Sequence, residues 1–228
     1  MNREFYWVNG SIASWRVQLV LHEKGLAFEP RRVRVMGEHR ETRTPEFLAL
    51  NPRGQAPVLV DGPVVINESL AIMTYLELRY PEPTLLPRDA EVMARVLACV
   101  QESETTAIAY EPLEQLFVLD DATPSPDQRS SLAGALAAID RELSLWEDRL
   151  AVGPFLVGSA LTLADCAFYP VVAYLARRGL TLGRWPRLCA YANQMAARPA
   201  AVASHPHGWR LGRVQPDLFA RAHALAVT

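Results

Sequence analysis

The sequence predicts an α/β unit followed by an all-helical one, with the change of character at Asp89. Three observations carry that reading. Strand and helix patterns alternate over residues 1–35. The β-branched runs Val58–Val60 and Val64–Ile66 flank Asp61-Gly62, a strong short-range hairpin signal. After Asp89 strand signals almost vanish and helical periodicity takes over. The expected division is 1–81, a connection at 82–88, and 89–228.

Taken in order, Phe5–Val8 reads as a short strand closed by the turn residues Asn9, Gly10 and Ser11. Trp15–Lys24 carries apolar residues at Val17, Val20 and Leu21 and stops at Gly25, as a helix does. Phe28–Val35 alternates as a second strand, with the basic run Arg31–Arg34 on its exposed side. Met36–Thr44 is a polar loop; Pro45–Leu50 comes next as a short helix with Thr44 as N-cap and Pro45 at its first position. The two β-branched runs supply a hairpin, in which Pro63, lacking an N–H, suits a strand's start or edge. Asn67, Glu68 and Ser69 then suit the opening of a helix. Leu70–Tyr80 is apolar on most sides, as for a helix packed on a sheet and on something else.

In the second half, Asp89–Leu119 reads as a long helix broken at Pro112. Asp120–Asp127 is a loop, Gln128–Leu150 a helix, and Val152–Gly158 an irregular apolar link. Thr162-x-x-Asp165 opens the next helix as a capping-box variant, so Asp165 is expected to satisfy helix-start N–H groups. Arg187–Arg198 and Leu218–Leu225 have the pattern of two more helices.

The formal net charge of −2 gives no global positive field for nucleic acid or an anionic membrane. No run of ~18 apolar residues is available to span a bilayer, and Met1–Phe5 lacks the apolar segment of a signal peptide. Cys99, Cys166 and Cys189 form no CxxC pair or zinc-type spacing. They are expected as buried free thiols in a reducing compartment, the cytoplasm, and no metal site is expected.

Asn51-Pro-x-Gly-Gln-Ala-Pro57, Asn67-Glu-Ser69, and Phe155–Gly158 with Thr162–Asp165 resemble, in order and spacing, the motifs of the glutathione transferase superfamily. Ser11–Val17 is similar to the serine-type helix opening of that superfamily, its zeta class above all, as are Glu111–Leu116 and Ser204–Pro206. Two departures stand out. The zeta pattern has a serine and a cysteine where this chain has Ile12 and Ala13, and a glutamine where it has Glu111.

The resemblance implies a thioredoxin-like N-terminal domain, an all-helical C-terminal domain, glutathione as co-substrate and a homodimer. It implies Ser11 as the hydroxyl that activates the glutathione thiol, with Ser14 as competitor, although Ser14 reads more naturally as the cap of the first helix. It also implies a cis Pro57 that exposes the backbone of Ala56 to the cysteinyl residue, and Gln55 as a further contact. Glu68 and Ser69 would receive the γ-glutamyl group, because a helix N-terminus attracts anions. His39, or alternatively Arg40 or Arg53, would meet the glycine carboxylate. A second-substrate pocket between the domains would be lined by Ala13, Tyr110 and Glu111, with Arg177 matching a position that meets a substrate carboxylate in zeta-type isomerases.

The expected activity is conjugation of the glutathione thiolate to small hydrophobic electrophiles, a detoxification reaction. The alternatives are a cis–trans isomerase of the maleylacetoacetate or maleylpyruvate type, and a non-catalytic binding protein of the same fold.

Overall fold

A computed structural model describes residues 3–117, 124–211 and 217–227. Strand β1 (Arg3–Trp7) ends at Asn9-Gly10, where Gly10 takes φ +81° and turns the chain into helix α1 (Ile12–Glu23). Gly25, at φ +61°, closes α1 with a Leu26 N–H to Leu21 carbonyl bond of 2.9 Å. Strand β2 (Glu29–Arg32) comes next, then a 3-10 turn at Glu41–Arg43 and helix α2 (Pro45–Leu50). The Thr44 hydroxyl caps α2 by accepting from Phe47 N–H, with Pro45 at the first position as expected.

Strands β3 (Val58–Asp61) and β4 (Val64–Asn67) form the expected hairpin, but its turn lies one residue later than the sequence reading had it. Asp61 pairs with Val64, so the turn residues are Gly62 and Pro63 rather than Asp61 and Gly62. Gly62, at φ +61°, holds the first central position, and Pro63 needs no ladder N–H at the second. Helix α3 (Ser69–Arg79) completes the layer. The sheet order is β2-β1-β3-β4, with β1 parallel to β2 and antiparallel to β3. Phe5, Val17, Leu21, Leu59, Ile72 and Leu76 are fully or almost fully buried between sheet and helices.

Helix α4 (Ala90–Tyr110) gives way at Glu111–Phe117 to a 3-10 turn containing Pro112. Helix α5 (Pro126–Arg149) opens with a capping box between Ser125 and Gln128. Helix α6 (Leu163–Arg177) carries Pro170 in its interior. Asp165 behaves as expected, its carboxylate accepting from Leu156 N–H at 3.0 Å and Thr162 N–H at 2.8 Å. Burial pushes that carboxyl up to about 6 against these bonds. Helices α7 (Pro186–Ala196), α8 (Pro199–Ser204) and α9 (Leu218–Val227) complete the chain. Leu119 and the beginning of the expected 120–127 loop lie outside the described residues.

The chain divides into two compact units, but not with a single crossing at residue 89. The first comprises residues up to Asp89 together with Ala196–Leu211, and the second comprises Ala90–Met195 with α9. The stretch expected as the linker at 82–88 belongs to the first unit. Leu85 and Leu86 are buried, and their N–H groups bond the Glu77 carboxylate at 3.1 Å. The three cysteines are reduced thiols; Cys99 and Cys166 are buried, whereas Cys189 is half-buried rather than buried. Among the described residues no helix is long and apolar enough to cross a membrane, and no group of metal-ligating side chains occurs.

Candidate active site

The sheet register assembles the site. Tyr6 of β1 lies opposite Val58 of β3, and Val58 lies opposite Asn67 of β4. Trp7 lies opposite Arg32 of β2. One end of the sheet therefore gathers Ser11 from beyond β1, Gln55, Ala56 and Pro57 from ahead of β3, Glu68 and Ser69 from beyond β4, and the loop with His39 from beyond β2. Four strands make three spacings, so this row is about 14 Å wide.

Ser11 is the N-cap of α1, with extended backbone at φ −75° and ψ 125°. Its Oγ accepts from Ser14 N–H at 3.2 Å, which leaves the hydroxyl proton free to donate outward from a half-buried position. Ser14 is not the cap that the sequence indicated. It is the third residue of α1, is 1% exposed, and its Oγ accepts from Val8 N–H at 3.0 Å. Ala13 is half-buried beside it.

The Ala56–Pro57 peptide is cis, as expected from the resemblance; Glu82–Pro83 is also cis. The loop that leads into Ala56 is held by Asn51, a residue whose role the sequence reading missed. Asn51 is 2% exposed. Its amide donates to Gln55 carbonyl at 2.6 Å, and its side-chain oxygen accepts from Arg53 N–H at 3.1 Å. The signal was available: asparagine before Pro-x-Gly is a residue that staples its own turn. Gly54, at φ +63°, lets this loop approach Thr42, since a Cβ there would stand 2.8 Å from the Thr42 carbonyl. Gln55 itself is exposed, Ala56 half-buried and Pro57 buried.

Glu68 is the only non-glycine among the described residues with positive φ, at φ 67° and ψ 113°. It is exposed at the N-terminus of α3 and makes no capping bond with its side chain, while Ser69 is 8% exposed beside it. A carboxylate aimed outward next to free helix-start N–H groups offers one site for a cation and one for an anion. His39 and Arg40 are exposed and, with Arg34, Glu38 and Arg43, line a cavity of about 560 Å³. Arg53 is exposed, and its carbonyl accepts weakly from Arg43 at 3.5 Å.

In the second unit, Tyr110 is 3% exposed, its ring edge-on to Tyr174 at 5.3 Å and tilted against Phe219 at 6.4 Å. Burial pushes its phenol well above the usual range. Glu111 is exposed at the start of the 3-10 turn. Arg177 is half-buried in the last turn of α6, where burial and then neighbouring Arg178 pull its pKa down.

Sequence and structure comparisons agree with this fold. The glutathione S-transferase N-terminal domain model matches residues 10–79, and the C-terminal domain model matches residues 94–199. Glutathione S-transferase A of Pleuronectes platessa is 34% identical, over 89% of this chain and 91% of that protein. A probable maleylacetoacetate isomerase of Vibrio cholerae is 31% identical, over 93% of this chain and 95% of its own length. The crystal structure of a glutathione S-transferase from the Antarctic clam Laternula elliptica superposes with a TM-score of 0.82 at 33% identity, covering 96% of this chain and 99% of that one. The chain belongs to the glutathione S-transferase family.

Proposed function

We propose that this family member binds glutathione across the end of its sheet and ionises the thiol at Ser11 for attack on a small hydrophobic electrophile. The observation that carries the reading is the Ser11 hydroxyl, spare proton outward, at the N-terminus of α1 and abreast of Ala56–Pro57 and Glu68–Ser69. An extended tripeptide spans about 10 Å, which suits a row about 14 Å wide. Ala56 would pair with the cysteinyl backbone as a strand does. Glu68 would take the γ-glutamyl ammonium and Ser69 its carboxylate, with Gln55 and Pro57 alongside. His39 would meet the glycine carboxylate.

A free thiol with a pKa of ~8.5 is about 3% ionised at pH 7. Lowering that by ~2 units takes about 2.7 kcal/mol of preference for the thiolate. A donated O–H and the positive end of α1 both act in that direction. The thiolate then attacks the electrophile held beside it, so proximity adds to ionisation. Ala13, Tyr110, Glu111 and Arg177 are the proposed contacts of that second substrate. The test is a thiolate absorbance titration of bound glutathione. Ser11→Ala should raise the thiol pKa by about 1–2 units; an unchanged value refutes the role of Ser11.

A second reading, glutathione-dependent cis–trans isomerisation, is favoured by Arg177 in the last turn of α6, where a half-buried cation can receive a carboxylate. Turnover of maleylacetoacetate or maleylpyruvate without consumption of glutathione supports it, and absence of turnover removes it. Retained glutathione binding with no thiolate at all would instead leave a binding protein. We further propose a cytoplasmic homodimer with a detoxification role. Val64, Val65 and Leu78 are individually exposed apolar residues of the first unit, of the kind a partner copy would cover. Sedimentation equilibrium tests the dimer.

A further inference from the structure

We infer that Arg198–Trp209 is a strap along α1 whose inner end, Trp209, is a positioning residue for the Ser11 hydroxyl. The inference rests on the role of Ser11 proposed above. At the far end, the Arg198 guanidinium grips the Glu23 carboxylate through two bonds of 2.6 and 2.8 Å. In the middle, Ser204 Oγ accepts from Trp15 Nε1 at 2.9 Å and donates to the Ala200 carbonyl at 2.7 Å. At the site end, the rings of His205 and Trp209 stand edge-on to Trp15 at 5.8 and 5.1 Å and to each other at 5.9 Å. The strap thus runs against α1 from its last residue to the turn before its first, about 18 Å for a 12-residue helix.

Its end reaches the turn that carries Ser11. A Cβ on Gly10 would stand 3.0 Å from Trp209 Nε1, and a Cβ on Gly208 would stand 3.3 Å from the Asn9 amide. Two glycines therefore let the strap and the Asn9-Gly10 turn touch without intervening side chains. Gly10 holds the left-handed conformation at φ +81°, the type of backbone that is loosest when nothing lies against it. The Trp209 ring closes off that freedom. An activating hydroxyl must keep its place to well under 1 Å, since a misplacement of about 1 Å can cost about 100-fold in rate.

The experiment measures two readouts in Trp209→Ala, Trp209→Phe, Arg198→Ala and Ser11→Ala. One is amide exchange at Ser14, whose N–H bonds Ser11 Oγ; the other is the pKa of bound glutathione. Trp209→Ala is expected to speed Ser14 exchange about tenfold or more and to raise the thiol pKa by about one unit, with the KM for glutathione changed less than about twofold. Trp209→Phe should restore both by keeping a ring against Trp15. Arg198→Ala should lower the melting temperature and leave the thiol alone. Unchanged Ser14 exchange in Trp209→Ala overturns the inference, as does an equal thiol shift in Arg198→Ala, which would mean general loosening. If Ser11→Ala moves the thiol and Trp209→Ala does not, the inference falls and the role of Ser11 stands. If neither moves it, the role of Ser11 falls and the positioning role falls with it.

Discussion

Lys24→Met should be among the most destabilising single substitutions in the first unit. The Lys24 side chain is fully buried, and its three ammonium protons meet three acceptors. These are the Tyr80 carbonyl at 2.7 Å, the Pro83 carbonyl at 2.8 Å and Glu77 Oε2 at 2.6 Å. Glu77 is 4% exposed and also accepts from Leu85 and Leu86 N–H at 3.1 Å and from the Thr84 hydroxyl at 3.2 Å. Methionine conserves the volume, so the cost is electrostatic: a buried carboxylate without its cation, and two carbonyls without donors. Removing one partner of a buried pair costs about 3–5 kcal/mol. At roughly 2–4 °C per kcal/mol for a chain of this size, about 4 kcal/mol lowers the melting temperature by about 8–16 °C. The assay is urea and thermal denaturation of Lys24→Met, Glu77→Gln and the double variant. Because the two share one network, the double variant should cost at least about 1–2 kcal/mol less than the sum. Strict additivity, or a Lys24→Met melting point within about 2 °C of the wild type, would refute the reasoning.

Ser14→Ala should leave the bound thiol's pKa unchanged while costing about 1–3 kcal/mol, since it removes the buried acceptor of Val8 N–H. A thiol shift would transfer the activating role from Ser11. Gly54→Ala should cost about 2 kcal/mol or more and weaken glutathione binding in calorimetry, because it forces a Cβ into the left-handed region and against Thr42. An affinity equal to the wild type would mean that the Asn51 loop does not shape the site. Asp165→Asn should destabilise by about 1.5–3 kcal/mol, since a neutral amide replaces a carboxylate that bonds two backbone N–H groups. A neutral result in denaturation would deny it the capping role.

What was legible in the sequence was what local chemistry dictates. The hairpin, the Thr44 cap and the Thr162–Asp165 capping box each rest on residues within nine positions of one another. The helix expected to open over Asn67–Ser69 starts at Ser69, Asn67 being the last residue of β4. The hairpin turn slipped by one place because Asp61-Gly62 and Gly62-Pro63 are both turn-forming pairs, and only the Asp61–Val64 pairing decides between them. Ser11 and Ser14 show the same ambiguity. Both are capping residue types, and the choice falls to Val8 N–H, which draws Ser14 inward. Long-range packing left no local sign. Arg16 is 1% exposed inside α1, where burial lowers its pKa to about 10, a placement that its charged residue type alone does not suggest. The return of residues 196–211 to the first unit likewise depends on Arg198, Ser204 and Trp209 finding partners some 175–199 positions earlier.

The two margins of the sheet are unlike in a way that bears on self-association. Along β2, Glu29, Pro30, Arg31 and Arg32 are all exposed, combining charge with a residue that offers no N–H. Along β4, Val64 and Val65 are 38% and 45% exposed and uncharged. Charge and proline discourage an incoming strand on the first margin, and the second carries no such guard. Edge-to-edge pairing through the sheet is therefore hindered on the β2 side. The same four residues that make β2 look unremarkable as a strand guard the sheet against an added strand on that side.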